Sequence, residues 1–375
     1  MKIAFIADRV YPFYRGGYEY LIYNLANELS AFNDITIYTS MNDPFQKINN
    51  VNFVKISKTY KFTDKNGSHN KSDAIKFAVE LLLNINKFKN YDIVIMNSIP
   101  YLLYGYFLKK LRVKKIILFH EAWYHYLRDK NLFFRYILYH EIKSIVENSN
   151  IIIAVSSATK KSLMENYNAK SVYRIPIGIY IREASNHCKI NYDIVYIGRL
   201  AKIKHVEIII RVAKNLKLYY RDIKIAIVGE GGEKRMLAQM VQDLDLKGNI
   251  FFLGNVDDTY KYCILACSKV FVMPSEREGF STATLEAMAY GCVPVVAKPK
   301  YDEVFGASDF VINNITGLYF KLNDSNDLYE KILKLFSDDK LYNQLKICGM
   351  KRAKHYKWDN IVKLYNDILL KWDNM

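Results

Sequence analysis

Short runs of β-branched and other apolar residues recur along this chain, each followed by a longer stretch of mixed polarity, and about halfway along the pattern begins again. A run that is apolar without alternation is buried on both faces, as in a parallel sheet whose strands are joined by crossover helices. In the first half the runs are 2–7, 35–39, 51–56, 92–96, 115–119, 151–155 and 173–177; in the second they are 193–198, 224–228, 250–253, 269–273, 293–297 and 310–312. Segments 18–30, 73–87, 157–167, 206–216 and 233–244 carry the apolar spacing of amphipathic helices. The expected architecture is α/β, with two doubly wound Rossmann-like domains facing across a cleft and ligands at the carboxyl ends of the strands. The expected boundaries are 1–182, 183–355 with polar 180–191 as the linker, and a helix in 356–375 packing back on the first domain. After Ser325 the pattern is helical throughout.

Compartment and partners follow from composition. The opening Met1-Lys2-Ile3-Ala4-Phe5-Ile6-Ala7-Asp8 meets an acid too early for a signal peptide, and no window has the roughly 18 apolar residues of a spanning helix, so a cytoplasmic protein is expected. Fifty-four Lys and Arg against 38 Asp and Glu leave a net charge of +16, which attracts phosphates, nucleic acid or anionic lipid. Of the 5 cysteines, Cys263 and Cys267 share a helical i,i+4 spacing without a second pair, so all five read as reduced packing residues.

Four segments can carry chemistry. In 270–291 a buried strand stops at Pro274, a loop carries Glu278, and a helix begins at Ser281 or Thr282, either of which can cap it, and ends at Gly291. Glu286 then lies a turn inside that helix, and the helix start between the two acids suits a diphosphate. The same spacing also fits an acid complementing the helix dipole and an exposed helical glutamate. In 196–204, Arg199 and Lys204 leave the carboxyl end of a strand, where a guanidinium fork and an ammonium can reach one pyrophosphate in place of a magnesium ion; solvated surface is the plainer reading. In 10–19, Gly16 and Gly17 precede a helix and let the backbone approach a ligand, or form an ordinary βα turn. His120, at the tip of the run 115–119, faces the expected cleft or is a structural histidine.

Other chemistries fit poorly. Val228-Gly229-Glu230-Gly231-Gly232 opens like a dinucleotide fingerprint, but Lys234 occupies the third glycine position. There is no P-loop, His120-Glu121-Ala122-Trp123-Tyr124-His125 has one residue too many for a zinc-binding H-E-x-x-H helix, and Asp243-Leu244-Asp245 falls at a helix end. Catalysis without a metal is expected.

Together these residues resemble the retaining glycosyltransferases of GT-B fold, family 4, from Gly16-Gly17 through Gly198-Arg199-Leu200, Val228–Gly231 and Phe252–Val256 to the Glu278–Glu286 segment with its E-x7-E spacing. The resemblance implies that Glu278 contacts the transferred sugar and Glu286 the ribose. It also implies that Arg199 and Lys204 hold the diphosphate, that Gly16-Gly17 closes over it, and that His120 contacts the donor sugar. Backbone at Phe280, Ser281 and Thr282 would touch sugar and phosphate, and Val256 the base. The implied reaction moves a hexose from a nucleotide-diphosphate sugar, with UDP or GDP as the carrier, to a hydroxyl of a glycan or lipid-linked acceptor, with retention. The implied setting is cell-envelope glycan or glycolipid synthesis. Two features depart from the pattern: Ile177-Gly178-Ile179-Tyr180 replaces the usual Asn-Gly-x-Asp turn, and His205 stands where a glycine often follows the lysine.

The acceptor side reads less directly. Segment 101–115 combines aromatics with Lys109, Lys110, Arg112, Lys114 and Lys115, and Phe133-Phe134-Arg135-Tyr136 follows, so this region is either a helix with a solvated basic end or a docking surface for the inner face of an anionic membrane. The alternatives to the transferase reading are a GT-B nucleotide-sugar epimerase or sugar phosphorylase and a basic nucleic-acid-binding protein. The last needs aromatics interleaved with bases on one face, whereas the 31 tyrosines are spread over the whole chain, so nucleic acid is not an expected partner.

Overall fold

The computed structural model describes residues 1–11, 16–40, 50–56, 71–98, 102–121, 124, 131–183, 191–302 and 305–373. Residues 12–15 of the first glycine segment, Ala122, Trp123, His125, and the part of the linker that carries Cys188 lie outside them. Among the described residues, 1–178 and 358–373 form one compact unit and 179–357 the other.

The first unit is built on strands β1 (Lys2–Ile6), β2 (Asp34–Thr39), β3 (Val51–Lys55), β4 (Ile93–Asn97), β5 (Lys114–Phe119), β6 (Ile151–Ala154) and β7 (Val172–Arg174), all paired in parallel in the order β3-β2-β1-β4-β5-β6-β7. The central strands are buried along their whole length, which is why they read as uninterrupted apolar runs. Helices α1 (Gly17–Leu29), α2 (Lys71–Leu83), α3 (Tyr104–Lys110), α4 (Leu132–Glu147) and α5 (Ser157–Tyr167) supply the crossovers. Asn131 caps α4 and Ser156 caps α5, each accepting from the backbone N–H three residues on.

The second unit contains β8 (Tyr192–Ile197), β9 (Ile225–Val228), β10 (Ile250–Gly254), β11 (Ser268–Met273), β12 (Val293–Lys298) and β13 (Leu318–Lys321), parallel and ordered β10-β9-β8-β11-β12-β13. Its helices are α6 (Glu207–Lys217), α7 (Lys234–Asp243), α8 (Asp258–Ala266), α9 (Thr282–Ala289), α10 (Ser325–Ser337) and α11 (Asp339–Ala353). The sequence-based strand at 310–312 is corrected here. Phe310 and Val311 are fully buried, but they follow a 3-10 turn at Gly306–Asp309. Thr316 then closes the segment, its hydroxyl donating to Phe310 O at 2.8 Å and accepting from Ile312 N at 2.7 Å. The edge strand is Leu318–Lys321, which pairs with β12.

The last helix, α12 (Trp358–Asp373), belongs to the first unit and packs on α1. Trp358 is buried, and a Cβ on Gly178 would stand 2.5 Å from its indole. Glycine is therefore required in the Ile177–Tyr180 turn by close approach, independently of the residues around it. The described cysteines, Cys263, Cys267, Cys292 and Cys348, are free.

Candidate active site

In each sheet the strand order reverses between two central strands, β1 and β4 in the first unit and β8 and β11 in the second, and the crevice beyond their carboxyl ends is where ligands bind in such folds. In the second unit β8 leads into Gly198-Arg199-Leu200. The loop after β9 lies directly against this turn: Gly198 N donates to Val228 O at 3.0 Å and Leu200 N to Glu230 O at 2.9 Å. Gly229, at φ 130°, would carry a Cβ only 2.0 Å from Gly198 O, and a Cβ on Gly231 would lie 2.2 Å from Leu200 O. The glycines that mimic a dinucleotide fingerprint thus serve to bring two loops into backbone contact. Tyr196, fully buried, donates from its hydroxyl to Arg199 O at 2.9 Å, while the Arg199 side chain is exposed. Burial, with the Glu278 charge adding to it, drives the Tyr196 phenol far above its ordinary pKa, so it stays a donor.

Beyond Arg199 the chain makes a 3-10 turn at Lys202–Lys204 that ends at His205 in the left-handed region, φ 47°. That conformation favours glycine; His205 adopts it with its ring between Glu207, at 3.2 Å, and Glu276, at 3.6 Å. Glu276 N donates to Ile203 O at 2.9 Å, tying the loop after β11 to the loop after β8. The result is that the Lys204 ammonium is ion-paired to the Glu278 carboxylate, both largely buried. Gly306 N donates to the Glu278 carbonyl at 2.8 Å, and a Cβ on Gly306 would meet Gly279 O at 1.9 Å.

Helix α9 follows directly. Ser281 is its N-cap, but it sits in the left-handed region, φ 68°, and its hydroxyl pairs with Thr284 Oγ1 at 2.7 Å instead of capping. The expected side-chain cap is therefore absent: the first-turn N–H groups at Thr282 are left without it, beside buried Phe280. A strained non-glycine residue at this point is a feature of functional turns. Gly291, at φ 88°, terminates the helix as expected. Glu286, one turn in, is 4% exposed, so it is not a surface glutamate. Its Oε1 accepts from Lys261 Nζ of α8 at 2.8 Å, and Lys261 also pairs with Asp258 at 3.1 Å. Burial raises the Glu286 carboxyl pKa; Lys261 opposes the rise. Val256, half-buried, lies between β10 and the Asp257 cap of α8.

In the first unit the equivalent crevice holds a buried polar cluster. After β1, Asp8 and Arg9 are buried; Tyr18 of α1 donates to Asp8 Oδ1 at 2.7 Å and accepts from Arg9 Nε at 2.5 Å, and Arg9 reaches Glu19 Oε1 at 3.3 Å. Burial raises the pKa of both carboxyls, and Arg9 opposes it. A Cβ on Gly16 would fall 2.2 Å from Glu19 Oε2, so glycine at the cap lets the carboxylate of the third helical residue lie close against the backbone. His120, after β5, lies 5.8 Å from the Tyr18 ring and donates from Nε2 to Asn97 Oδ1 at 2.7 Å. Burial lowers its pKa to about 3, so the imidazole is neutral at physiological pH.

Residues 15–183 match the model of Glycosyltransferase Family 4, and residues 180–352 that of Glycosyl transferases group 1. The chain belongs to the family 4 glycosyltransferases of GT-B fold. It is 29% identical over 238 residues to the poly(ribitol-phosphate) alpha-N-acetylglucosaminyltransferase of Staphylococcus aureus, covering 62% of this chain and 45% of that protein. It is 32% identical over 178 residues to the N-acetylgalactosamine-N,N'-diacetylbacillosaminyl-diphospho-undecaprenol 4-alpha-N-acetylgalactosaminyltransferase of Campylobacter jejuni, covering 47% of this chain and 45% of that protein. The chain thus spans about half the length of these curated relatives. Among solved structures, sucrose-phosphate synthase from Thermosynechococcus elongatus superposes with a TM-score of 0.83 at 18% identity, over 100% of this chain and 99% of that one, a likeness of fold.

For this GT-B chain the two sets of candidate residues lie in separate units. Gly16, Gly17 and His120 are in the first; Arg199, Lys204, Val256, Glu278, Phe280, Ser281, Thr282 and Glu286 are in the second. Sequence reasoning missed Asp8, Arg9, Glu19, Asn97 and Lys261. A lone lysine inside the run Tyr260–Leu265 was the available signal for the last, and an acid just after a glycine pair the signal for Glu19.

Proposed function

We propose that the protein transfers a hexose or N-acetylhexosamine from a nucleoside-diphosphate sugar to a hydroxyl of a glycan or lipid-linked saccharide, with retention and without a metal ion. The observation that carries the reading is the Lys204–Glu278 ion pair beside the start of α9, which lacks a side-chain cap, at the point where the second sheet reverses its order. A cation, a carboxylate and free helix N–H groups in one loop cluster match a donor whose scissile bond joins a sugar to a diphosphate.

In this reading Arg199, Lys204 and the N–H groups of Phe280, Ser281 and Thr282 hold the diphosphate as the C1–O bond breaks and negative charge grows on the leaving oxygen. Glu278 faces the positive character developing on the sugar. Glu286 takes the ribose hydroxyls and Val256 the base. Gly16, Gly17 and His120, as a neutral imidazole, are the first unit's assigned donor contacts. The acceptor hydroxyl attacks the face the diphosphate leaves, and a departing phosphate oxygen takes its proton. Both relatives carry an alpha linkage in their names, and an alpha product from an α-linked nucleotide donor is retention. Their names also carry polymeric or lipid-diphosphate acceptors, which supports a cell-envelope acceptor here.

Donor binding is checked by melting the protein with UDP, GDP and ADP, each with and without EDTA. One nucleotide at a hundredfold excess over its Kd should add about 2.7 kcal/mol of stability. The shift should persist in EDTA; its abolition by EDTA would bring a metal into the site, and no shift with any nucleotide would reopen the epimerase and phosphorylase readings.

The acceptor surface is assigned to α3 and α4. These helices pack closely, since a Cβ on Gly105 would lie 2.4 Å from Ser144 Oγ and Glu141 accepts from Gly105 N at 2.8 Å. Tyr106, Lys109 and Lys110 on α3 are exposed, as are Leu132 (81%), Phe133 (76%) and Tyr136 (65%) on α4. Lys115 leaves the basic group, because its ammonium donates to Leu108 O and Leu111 O at the end of α3. Exposed aromatics with lysines suit an anionic membrane, and lipid-linked acceptors reside there. No helix of the described residues is long and apolar enough to cross a membrane. At low salt the protein should co-sediment with phosphatidylglycerol vesicles, and Leu132→Ser/Phe133→Ser should release it; a protein that stays in the supernatant at low salt removes the membrane surface from the reading.

A further inference from the structure

The Lys261–Glu286 ion pair has no part in the chemistry described above, yet it is a largely buried contact joining two helices of the second unit that meet at the proposed nucleotide. Helix α8 begins at Asp258, two residues after Val256, the assigned base contact, and α9 begins at Thr282, the assigned phosphate contact. Lys261 joins them. Its side chain is 14% exposed, with Nζ 2.8 Å from Glu286 Oε1, 3.1 Å from Asp258 Oδ1 and 4.7 Å from the centre of the Tyr262 ring. The residues that follow it on α8, Tyr262, Cys263, Ile264 and Leu265, are buried.

A lysine in such a run gives up hydration and rotamer freedom, and buried ion pairs return little net stability, so stability alone is a poor reason for the pair. It does fix two things about Glu286. The ammonium engages Oε1, so the carboxylate has one defined orientation and its second oxygen stays outside the pair. It also favours the ionised form, which accepts hydroxyl hydrogen bonds about twice as strongly as a neutral acceptor.

We propose that Lys261 is a positioning residue of the nucleotide site: its ammonium keeps the Glu286 carboxylate charged and aimed so that the remaining oxygen receives the ribose hydroxyls of a nucleoside diphosphate. The proposal rests on the reading of Glu286 as the ribose-binding group. The groups facing Glu286 set the sign of its pH dependence. On α8 these are Lys261, Asp258 and Tyr262; at the end of α9 is Tyr290, which stacks on Tyr262 at 5.0 Å and whose hydroxyl bonds the Arg182 backbone. Burial and Asp258 push the Glu286 carboxyl up and Lys261 holds it down. Without the lysine, protonation would move toward neutral pH, and the protonated acid is the weaker ribose acceptor.

The test is calorimetric binding of UDP and GDP to the intact chain from acidic to mildly alkaline pH, in wild type, Lys261→Met, Lys261→Arg, Glu286→Gln and the Lys261→Met/Glu286→Gln double variant. Lys261→Met should weaken the preferred nucleotide about tenfold at neutral pH, the loss of one charge-directed contact. Relative to wild type, that loss should shrink as pH rises. Lys261→Arg should retain most of the affinity. In the Glu286→Gln background Lys261→Met should cost nothing further, because Lys261 acts through the carboxylate. With the sugar donor varied at saturating acceptor, Lys261→Met should raise the donor KM and leave kcat unchanged. The double variant, which removes both charges of the Lys261–Glu286 pair and leaves only the part-exposed Asp258 carboxylate, keeps the comparison readable if Lys261→Met alone folds poorly. Wild-type affinity in Lys261→Met, or an equal loss in both backgrounds, overturns the positioning role while leaving Glu286 in place if Glu286→Gln is weakened. Undiminished binding by Glu286→Gln removes Glu286 from the nucleotide, and this inference falls with it.

Discussion

Glu278→Ala should lower the rate of sugar transfer by roughly 10²-fold or more while leaving UDP or GDP affinity at the wild-type value or tighter. The direction of the second half comes from the ion pair. Glu278 is held by the Lys204 ammonium; removing the carboxylate frees that cation for the diphosphate and withdraws a negative charge from its neighbourhood. Removal of the sugar contact therefore appears in turnover and not in nucleotide binding. Steady-state kinetics with saturating donor, beside calorimetric binding of the nucleotide alone, separates the two effects. Equal losses in both would move Glu278 from the reacting sugar to the binding of the diphosphate. A fully active variant would end the transferase assignment of this loop.

Arg199→Ala should cost between about 10² and 10³ in turnover, the scale on which a preorganised donor to a developing oxyanion acts. The fold holds the Arg199 backbone from both sides of the loop: its carbonyl accepts from Tyr196, and the next residue, Leu200, donates to Glu230 O. The side chain is exposed, so its loss leaves no cavity and the variant should melt as wild type does. Arg199→Lys should recover only part of the rate, since an ammonium cannot make the two parallel contacts of a guanidinium. An unchanged rate in Arg199→Ala would take the residue out of the site.

The strands and most of their connecting helices were legible in the sequence because a strand buried on both faces is a contiguous apolar run. The segment 157–167 matches its helix residue for residue, and Asp243-Leu244-Asp245 falls at the end of α7. The edge strand Leu318–Lys321 is less legible than 310–312 because an edge strand is only partly buried, so its pattern is weaker than that of Phe310-Val311 packed in a turn. Helix α3 falls inside segment 101–115, whose reading as a helix with a basic end it matches, although seven residues with a glycine make little periodic signal from which to place its bounds.

The residue types around the candidate site could be named from position alone: acids and bases just after strands, and glycines just before helices. Their pairing could not. Lys204 and Glu278 are 74 residues apart, and Lys261 and Glu286 are 25 apart on different helices. Which cation meets which carboxylate depends on strand order, on the backbone contact that Gly229 and Gly231 allow between two loops, and on the left-handed turns at His205 and Ser281. The sequence by itself determined two parallel-sheet units and the chemical groups at their strand ends, because hydrophobic periodicity is local. Only the tertiary structure decided that Ser281 leaves its helix without a side-chain cap, that Glu286 is buried and that Lys261 stands behind it, because burial and ion pairing are set by contacts between elements distant in sequence.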